Sequence, residues 1–223
     1  MTGKSNAAVF YNSTDDVRIL CHGDDFMVLA DLDAMQAFEK VLAEKYEFKK
    51  LGIMGFEDGD DKQGRMFNRV ITLFPGQPNS LTVEPDARHA QIIVKELGLE
   101  NAKAAETPAE KLSVDQQIKN SQAPLLKKAD VQLYRSVTMR GAYLAQDCPD
   151  LSEAFKNLAR YMKEPNEAHL GLLKRTGRYL KRYPILKNKM TEQVMPRDDT
   201  VCVDTDHAGC GVTRKSTTGY AAM

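Results

Sequence analysis

Apolar and polar residues alternate along three short segments near the start of the chain, in the manner of strands of an antiparallel sheet. The segments are residues 7–12, 17–22 and 26–30. The bend between the second and the third carries Gly23, followed directly by Asp24 and Asp25. The pattern therefore predicts a β-hairpin that presents two adjacent carboxylates at its tip.

Over much of the remaining chain, apolar residues recur every three or four positions, which predicts helices. The predicted helices cover residues 31–46, 86–97, 130–146, 150–165 and 166–183. Two further strands, residues 51–56 and 69–74, are expected to form a second hairpin across the acidic segment 57–64. Residues 100–126 are polar and alanine-rich with two prolines, which predicts a linker or an extended path over the surface.

Single residues refine the expected helix ends. Asp130 is the predicted N-cap of the helix 130–146, and the spacing of Asp150 and Glu153 is that of a capping box for the next helix. Gly141 would allow a neighbouring element to approach its helix closely. Taken together, the strands, the helices and their order predict an α+β fold.

Charge is balanced over the 223 residues, with 31 Lys+Arg and 31 Asp+Glu, but it is unevenly distributed. Residues 1–34 carry six acidic and two basic side chains, whereas residues 151–190 carry ten basic side chains and three Glu, a local net charge of +7. Five basic residues fall on one side of the predicted helix 166–183: Lys174, Arg175, Arg178, Lys181 and Arg182. Such a stripe is either a solvated helix face or a surface that contacts backbone phosphates.

The four cysteines show no disulfide pattern, which favours a reduced intracellular protein of the cytoplasm or nucleus. Cys202, His207 and Cys210 could be read as zinc ligands, but no fourth ligand is evident, so we assign no zinc. No apolar run approaches membrane-spanning length and the N-terminus lacks the plan of a signal peptide. We therefore expect no membrane partner.

Two acidic pairs are candidate metal sites. Asp24 and Asp25 repel one another unless water hydrates them fully or a divalent cation neutralises them, so the pair is either a solvated turn or a Mg²⁺ site. Asp204 and Asp206 lie two apart in a predicted strand, residues 200–206, and so point to one face. An exposed edge strand explains this second pair about as well as a second Mg²⁺ site does.

Seven short motifs occur along the chain in a fixed order. They are HGDD at 22–25, KYEFKKLG at 45–52, YRSV at 134–137, ARYM at 159–162, KRTGRYLK at 174–181, VDTDHAG at 203–209 and RKSTTGY at 214–220. In this order the motifs resemble the C-terminal part of the reverse transcriptase of copia-type LTR retrotransposon polyproteins, running into the start of ribonuclease H.

The resemblance implies a division of the chain into four parts. In this division, residues 1–99 are the end of the reverse-transcriptase palm, with its antiparallel hairpins, and the start of the thumb. Residues 100–128 are a linker, and residues 129–190 are a helical thumb and connection region. Residues 191–223 are the incomplete start of a ribonuclease H-like domain.

The resemblance also implies an RNA-directed DNA polymerase, which performs two-metal nucleotidyl transfer on an RNA/DNA template-primer duplex. Asp24 and Asp25 would then be catalytic ligands of Mg²⁺, Asp204 the first catalytic metal ligand of ribonuclease H, and Asp206 a further ligand. His22, which stands where the family has an aromatic residue, and the basic stripe would contact nucleic acid. The dNTP and the rest of the polyprotein would be partners of the full-length enzyme.

The family's two active sites need further groups that the residues present do not supply. The palm needs a carboxylate from an upstream strand, and ribonuclease H needs at least two more carboxylates. We therefore expect the isolated chain neither to polymerise nor to cleave. The alternative is a non-catalytic nucleic-acid-binding or structural remnant of a decayed element.

Overall fold

A computed structural model describes residues 1–4, 6–194 and 200–222 and divides the chain into two compact units, one of residues 1–75 and one that begins at residue 76. The first unit contains β1 (Val9–Asn12), β2 (Val17–His22), β3 (Asp25–Leu29), α1 (Leu32–Ala43), β4 (Gln63–Met66) and β5 (Arg69–Phe74). The second contains β6 (Ser80–Glu84), α2 (Arg88–Glu96), α3 (Val114–Ser121), α4 (Lys128–Leu144), α5 (Pro149–Ala159), α6 (Glu167–Arg182), β7 (Asn188–Thr191), β8 (Val201–Asp206) and β9 (Thr217–Ala222).

The chain is thus a mixture of helices and antiparallel strands. The palm-type and ribonuclease H-like assignments stay predictions. Residues 195–199 and 223 of the predicted ribonuclease H-like start lie outside the described residues.

The predicted N-terminal hairpin is confirmed. β1, β2 and β3 form an antiparallel sheet in this order, and His22 pairs with Asp25 across the β2–β3 turn. The turn is therefore the two residues Gly23 and Asp24, with a φ of +59° at Gly23. Glycine at the first of two turn residues is typical of the type II′ turn, whose twist matches that of the flanking strands. Asp25 belongs to the strand, one residue earlier than predicted.

The second predicted hairpin is wrong in one strand and in its turn. β5 agrees with the predicted strand 69–74, but its partner is β4, and residues 51–56 form no strand in the described chain. Phe67 and Asn68 make the turn, and both have positive φ values, 49° and 61°, as a type I′ turn requires. The apolar run at 51–56 has the composition of a strand and was predicted as one. The true partner β4, with the sequence QGRM, has little apolar character and was therefore missed.

Four helices, α2, α4, α5 and α6, build the core of the second unit. Its buried apolar residues include Ala90, Ile93, Leu97, Tyr134, Val137, Leu144, Leu151, Phe155, Leu158, Leu173 and Leu180. Because Ala90 and Ile93 of α2 lie in this core, α2 belongs with the later helices. The chain accordingly divides after residue 75, whereas the resemblance placed a boundary at residue 99.

Four elements of the second unit were not predicted, namely β6, β7, β9 and α3. β6 and β7 are short antiparallel strands that pair over a separation of about a hundred residues, with Leu81 opposite Met190. α3 interrupts the predicted linker 100–128, and its N-terminus carries a capping box formed by Ser113 and Gln116. The spacing of these two residues is the known signature of such a start, so this helix was detectable from the sequence.

The predicted helix caps at Asp130 and Asp150 are wrong. α4 begins at Lys128, with Lys127 as N-cap, and α5 begins at Pro149, with Cys148 as N-cap. Asp130 instead lies in the first turn of α4, where a carboxylate interacts favourably with the helix dipole. Proline is well suited to the first position of α5, since it has no N–H to leave unsatisfied.

Gly141 provides the close approach that the sequence predicted. It is buried in α4, and a Cβ atom at this position would lie 2.0 Å from ring carbons of Phe155 in α5. Phe155 is itself buried in the core, so its ring has little room to move. The contact between α4 and α5 therefore requires a residue without a side chain at position 141.

We expect Gly141→Ala to lower the free energy of unfolding by about 1–3 kcal/mol, because the new methyl group overlaps Phe155. Gly171→Ala is the matched control, since Gly171 lies in α6 with no atom within 4 Å of a Cβ. The control should gain up to about 1 kcal/mol from the better helix propensity of alanine. Urea denaturation measures both values, and equal effects of the two substitutions would contradict the expectation.

His169 is buried and takes part in the capping box at the N-terminus of α6. The backbone N–H of His169 donates to Asn166 Oδ1 at 3.0 Å, and the backbone N–H of Asn166 donates to His169 Nδ1 at 3.2 Å. The imidazole is buried and stacks on Tyr161 with 3.8 Å between ring centroids. Burial lowers the pKa of His169 to about 4, so the ring is neutral and Nδ1 remains free to accept its hydrogen bond.

This lowered pKa makes folding stability depend on pH. As the pH falls from about 6.5 to 4, the unfolded chain binds a proton at His169 that the folded protein excludes. The contribution of His169 to the free energy of unfolding is therefore fully present above pH 6.5, and about 1–3 kcal/mol of it is lost by pH 4. His169→Gln keeps a side chain suited to the capping box but does not titrate, so its unfolding free energy should depend less on pH. Denaturation of both proteins between about pH 7 and 4.5 measures the difference, and identical slopes would contradict it.

Candidate metal centre and nucleic-acid interface

The first acidic pair lies at the tip of the β2–β3 hairpin. Asp24 is the second residue of the turn and Asp25 the first residue of β3, and both side chains are exposed. Strand pairing from His22 back to Arg18 fixes the backbone on either side of the turn. The hairpin therefore presents two carboxylates to solvent on a backbone of defined geometry.

His22 precedes the turn and contacts the first unit's other hairpin. Its ring lies edge-on to Phe67, with 5.3 Å between the centroids, a favourable arrangement for two aromatic rings. Phe67 belongs to the β4–β5 turn, so the contact joins the two hairpins of the first unit. His22 is exposed, and its ring remains accessible beside the acidic pair.

The second acidic pair lies on the β8–β9 hairpin, and its two members differ. Asp204 is opposite Gly219 and its side chain is exposed. Asp206 is opposite Thr217, and its carboxylate accepts a hydrogen bond from the Thr217 backbone N–H. A Cβ at Gly209 would overlap the Asp206 carboxylate. Asp206 thus helps to hold its own turn, whereas Asp204 is the more available ligand.

Carboxylate oxygens are the ligands that Mg²⁺ prefers, so both pairs fit this ion in the type of their donor atoms. Each pair offers two carboxylates, and within the described residues no group of three His, Cys, Asp or Glu side chains could hold a metal ion. Because the two pairs belong to different units, each is a separate candidate. The assignment of Mg²⁺ to Asp24, Asp25, Asp204 and Asp206 stays a prediction.

Among the described residues, Cys202, His207 and Cys210 do not form a group that could hold a metal ion. Cys202 is exposed on β8, and Cys210 lies half-buried in the turn that follows. Partial burial works to raise the pKa of Cys210, but hydrogen bonds from the Thr213 side chain and from the backbone of Thr213 and Val212 lower it to about 7. The turn thus favours an ionised thiol at Cys210, which nothing in the cysteine spacing indicated.

The five predicted nucleic-acid contacts of α6 are here called the basic face: Lys174, Arg175, Arg178, Lys181 and Arg182. Three of these side chains contact a segment of residues 102–110, which we call the strap. Lys181 Nζ donates to the carbonyl of Ala102 at 2.7 Å, and Arg182 pairs with Glu106 at 2.5 Å. Most of the basic face is thus engaged within the chain.

Arg175 has the most extensive contacts of the basic face. It pairs with Glu110 at 2.5 Å through Nη1 and donates to Thr107 Oγ1 at 2.9 Å through Nη2. Its side chain is 21% exposed, compared with 49% for Arg182. Lys174, Lys181 and Arg182 are exposed, whereas Arg175 and Arg178 are half-buried.

The backbone of the strap is anchored on α6 as well. The Ala105 N–H donates to the carbonyl of Arg178 at 3.2 Å, and Thr176 Oγ1 donates to the carbonyl of Pro108 at 3.0 Å. Ala105 is buried between these anchors. Residues 102–110 contain no helix or strand, and no sequence pattern indicated that Glu106 and Glu110 pair with arginines about seventy residues away.

We expect Thr176→Val to loosen the strap, because valine keeps the shape of the side chain but cannot donate to Pro108. The loss of this hydrogen bond should cost about 1 kcal/mol of unfolding free energy. Hydrogen exchange at the Ala105 amide, which bonds to Arg178, should become faster. Thr191→Val, at an exposed position in β7, is the control. Unchanged exchange at Ala105 would contradict the assigned role of Thr176.

Over 143 aligned residues the chain is 32% identical to the uncharacterized mitochondrial protein AtMg00810 of Arabidopsis thaliana. The alignment covers 61% of this chain and 54% of the relative, so the chain spans about half the length of the curated relative it matches. No protein-family model matches the chain. A search of solved structures gives no match. Among the described residues, no helix has the length and apolar character needed to cross a membrane.

Proposed function

We propose that the chain is a piece of the reverse transcriptase of a copia-type retrotransposon, running from the polymerase palm into the start of ribonuclease H. The ordered motifs support this origin, and the similarity to AtMg00810 extends over 61% of the chain. The single observation that carries the proposal is the β2–β3 hairpin, whose turn exposes Asp24 and Asp25 side by side.

In the proposed polymerase, Asp24 and Asp25 hold Mg²⁺ at the end of the primer. Such ions, when bound, lower the pKa of the attacking 3′-hydroxyl and stabilise the charge of the transferred phosphoryl group. This chain positions the two carboxylates, since strand pairing on both sides of the turn fixes the backbone that carries them. The His22 ring is exposed beside the turn and would contact the primer strand.

Asp204 is proposed as a metal ligand of the ribonuclease H site, because its carboxylate is exposed on β8. Asp206 is the weaker candidate, since its carboxylate already accepts a hydrogen bond from Thr217. The basic face would contact the backbone of the RNA/DNA duplex, in part through the exposed Lys174. Template-primer, dNTP and the remaining polyprotein are proposed partners of the complete enzyme.

A second candidate function is a nucleic-acid-binding remnant without catalysis. The observation that favours it is the small number of ligands, since no described cluster brings three metal-binding side chains together. Both candidates bind nucleic acid through the basic face. They differ in whether Asp24 and Asp25 give this binding a dependence on Mg²⁺.

Binding of an RNA/DNA hybrid with and without Mg²⁺ separates the two candidates. For a reverse-transcriptase piece, we expect Mg²⁺ to strengthen binding by roughly 1 kcal/mol, a factor of about five, and Asp24→Asn with Asp25→Asn to abolish this gain. Asp15→Asn with Asp16→Asn is the matched control, because these two carboxylates are also adjacent and exposed, in the β1–β2 turn. Isothermal titration calorimetry measures the affinities.

Two results would favour the remnant: an affinity for the hybrid that does not change with Mg²⁺, or an equal effect of Mg²⁺ on the affinities of the two double variants. Primer extension with Mg²⁺ tests autonomous activity in the same samples. We expect no incorporation above that of the variant with Asp24→Asn and Asp25→Asn. Incorporation above that level would show that the isolated chain is a working polymerase.

A further inference from the structure

We infer that the strap regulates the basic face, because Glu106 and Glu110 occupy the two arginines that a nucleic-acid phosphate would otherwise bind. The inference rests on the proposed function, since it assigns a control to the same nucleic-acid surface. The strap lies within the second unit, and both carboxylates contact guanidinium groups of α6.

Each glutamate meets one end of the basic face. Glu106 pairs with Arg182 and lies 3.4 Å from the Tyr183 hydroxyl, which donates to it. Glu110 pairs with Arg175, seven residues earlier on the same helix. Two of the five cations of the basic face therefore already carry an anionic partner in the free protein.

A carboxylate and a phosphate compete for the same donors. The guanidinium group offers a planar fork of N–H groups that fits either anion, and binding of one excludes the other from that fork. Both glutamates are well exposed, 68% for Glu106 and 59% for Glu110. Exposed ion pairs are weak, so a phosphate backbone that contacts several cations at once can displace them.

The backbone anchors allow this exchange without unfolding the strap. Ala105 and Pro108 remain bonded to Arg178 and Thr176 whichever anion Arg175 and Arg182 hold. Lys174 is exposed before any exchange and can make the first contact with the duplex. The side chains of Glu106 and Glu110 would then swing into solvent as phosphates take their places.

Replacement of the two glutamates by uncharged glutamine tests the inference. Glu106→Gln with Glu110→Gln should bind an RNA/DNA hybrid about tenfold more tightly than the unmodified chain at moderate salt, because two more arginines are free for phosphates. The dependence of log affinity on log salt concentration should also steepen, by about 0.9 for each added phosphate contact. Fluorescence anisotropy of a labelled hybrid measures both quantities.

The matched control is Glu96→Gln with Glu100→Gln. These glutamates are also exposed on the second unit, so the control changes the net charge equally and leaves both arginine pairs intact. The inference would be overturned if the control variant gained as much affinity as the strap variant and showed an equally steepened salt dependence. A gain confined to the strap variant supports it.

Failure of the inference and failure of the proposed function give different results. If Lys174→Gln weakens hybrid binding but the strap variant equals the unmodified chain, the nucleic-acid surface stands and the regulatory role is wrong. If no folded variant binds the hybrid at all, the proposed function is wrong and the inference falls with it. Binding by the strap variant alone would support both.

Discussion

The half-buried Arg175 of α6 is the constraint that ties the strap to the helices of the second unit. The apolar side of this helix lies in the core through Leu173 and Leu180, which brings Arg175 and Arg178 close to the protein interior. A guanidinium group removed from water must find a partner or hydrogen bonds within the chain. Glu110 and Thr107 of the strap supply them for Arg175. The strap thus supplies partners for the two Nη atoms of Arg175, whereas the Nε atoms of Arg175 and Arg178 are buried without a hydrogen-bond partner among the described residues.

Some features set by neighbouring residues were predicted from the sequence, although the caps of α4 and α5 and the capping box of α3 were not. The β2–β3 hairpin depends on a glycine at a two-residue turn, and α6 depends on a regular apolar period and on its cap at Asn166. Both causes lie within a few residues, so the pattern contains them. Gly141 belongs to the same group. The sequence shows a residue without a side chain within α4, although it does not show that Phe155 is the residue packed against it.

Features set by distant partners were missed for a physical reason. β7, with the sequence NKMT, has its partner β6 about a hundred residues away and shows too little apolar character to be recognised on its own. The alternating sequence SLTVE of β6 was detectable, although its partner was not. The strand pattern at residues 51–56 failed in the opposite way, since an apolar run forms a strand only if a partner pairs with it. Local propensity is a weak guide wherever tertiary pairing decides the conformation.

The candidate sites follow the same division. Strand alternation places Asp204 and Asp206 on one face, but only the opposite strand reveals that Asp206 accepts a bond from Thr217. For the basic face the sequence left two alternatives, solvation or phosphate contact, and the structure adds a third, neutralisation within the chain. The net charge of +7 counted over residues 151–190 therefore overstates the field at α6. Electrostatic potential depends on which charges are close in space, and two of the nearest acids come from the strap.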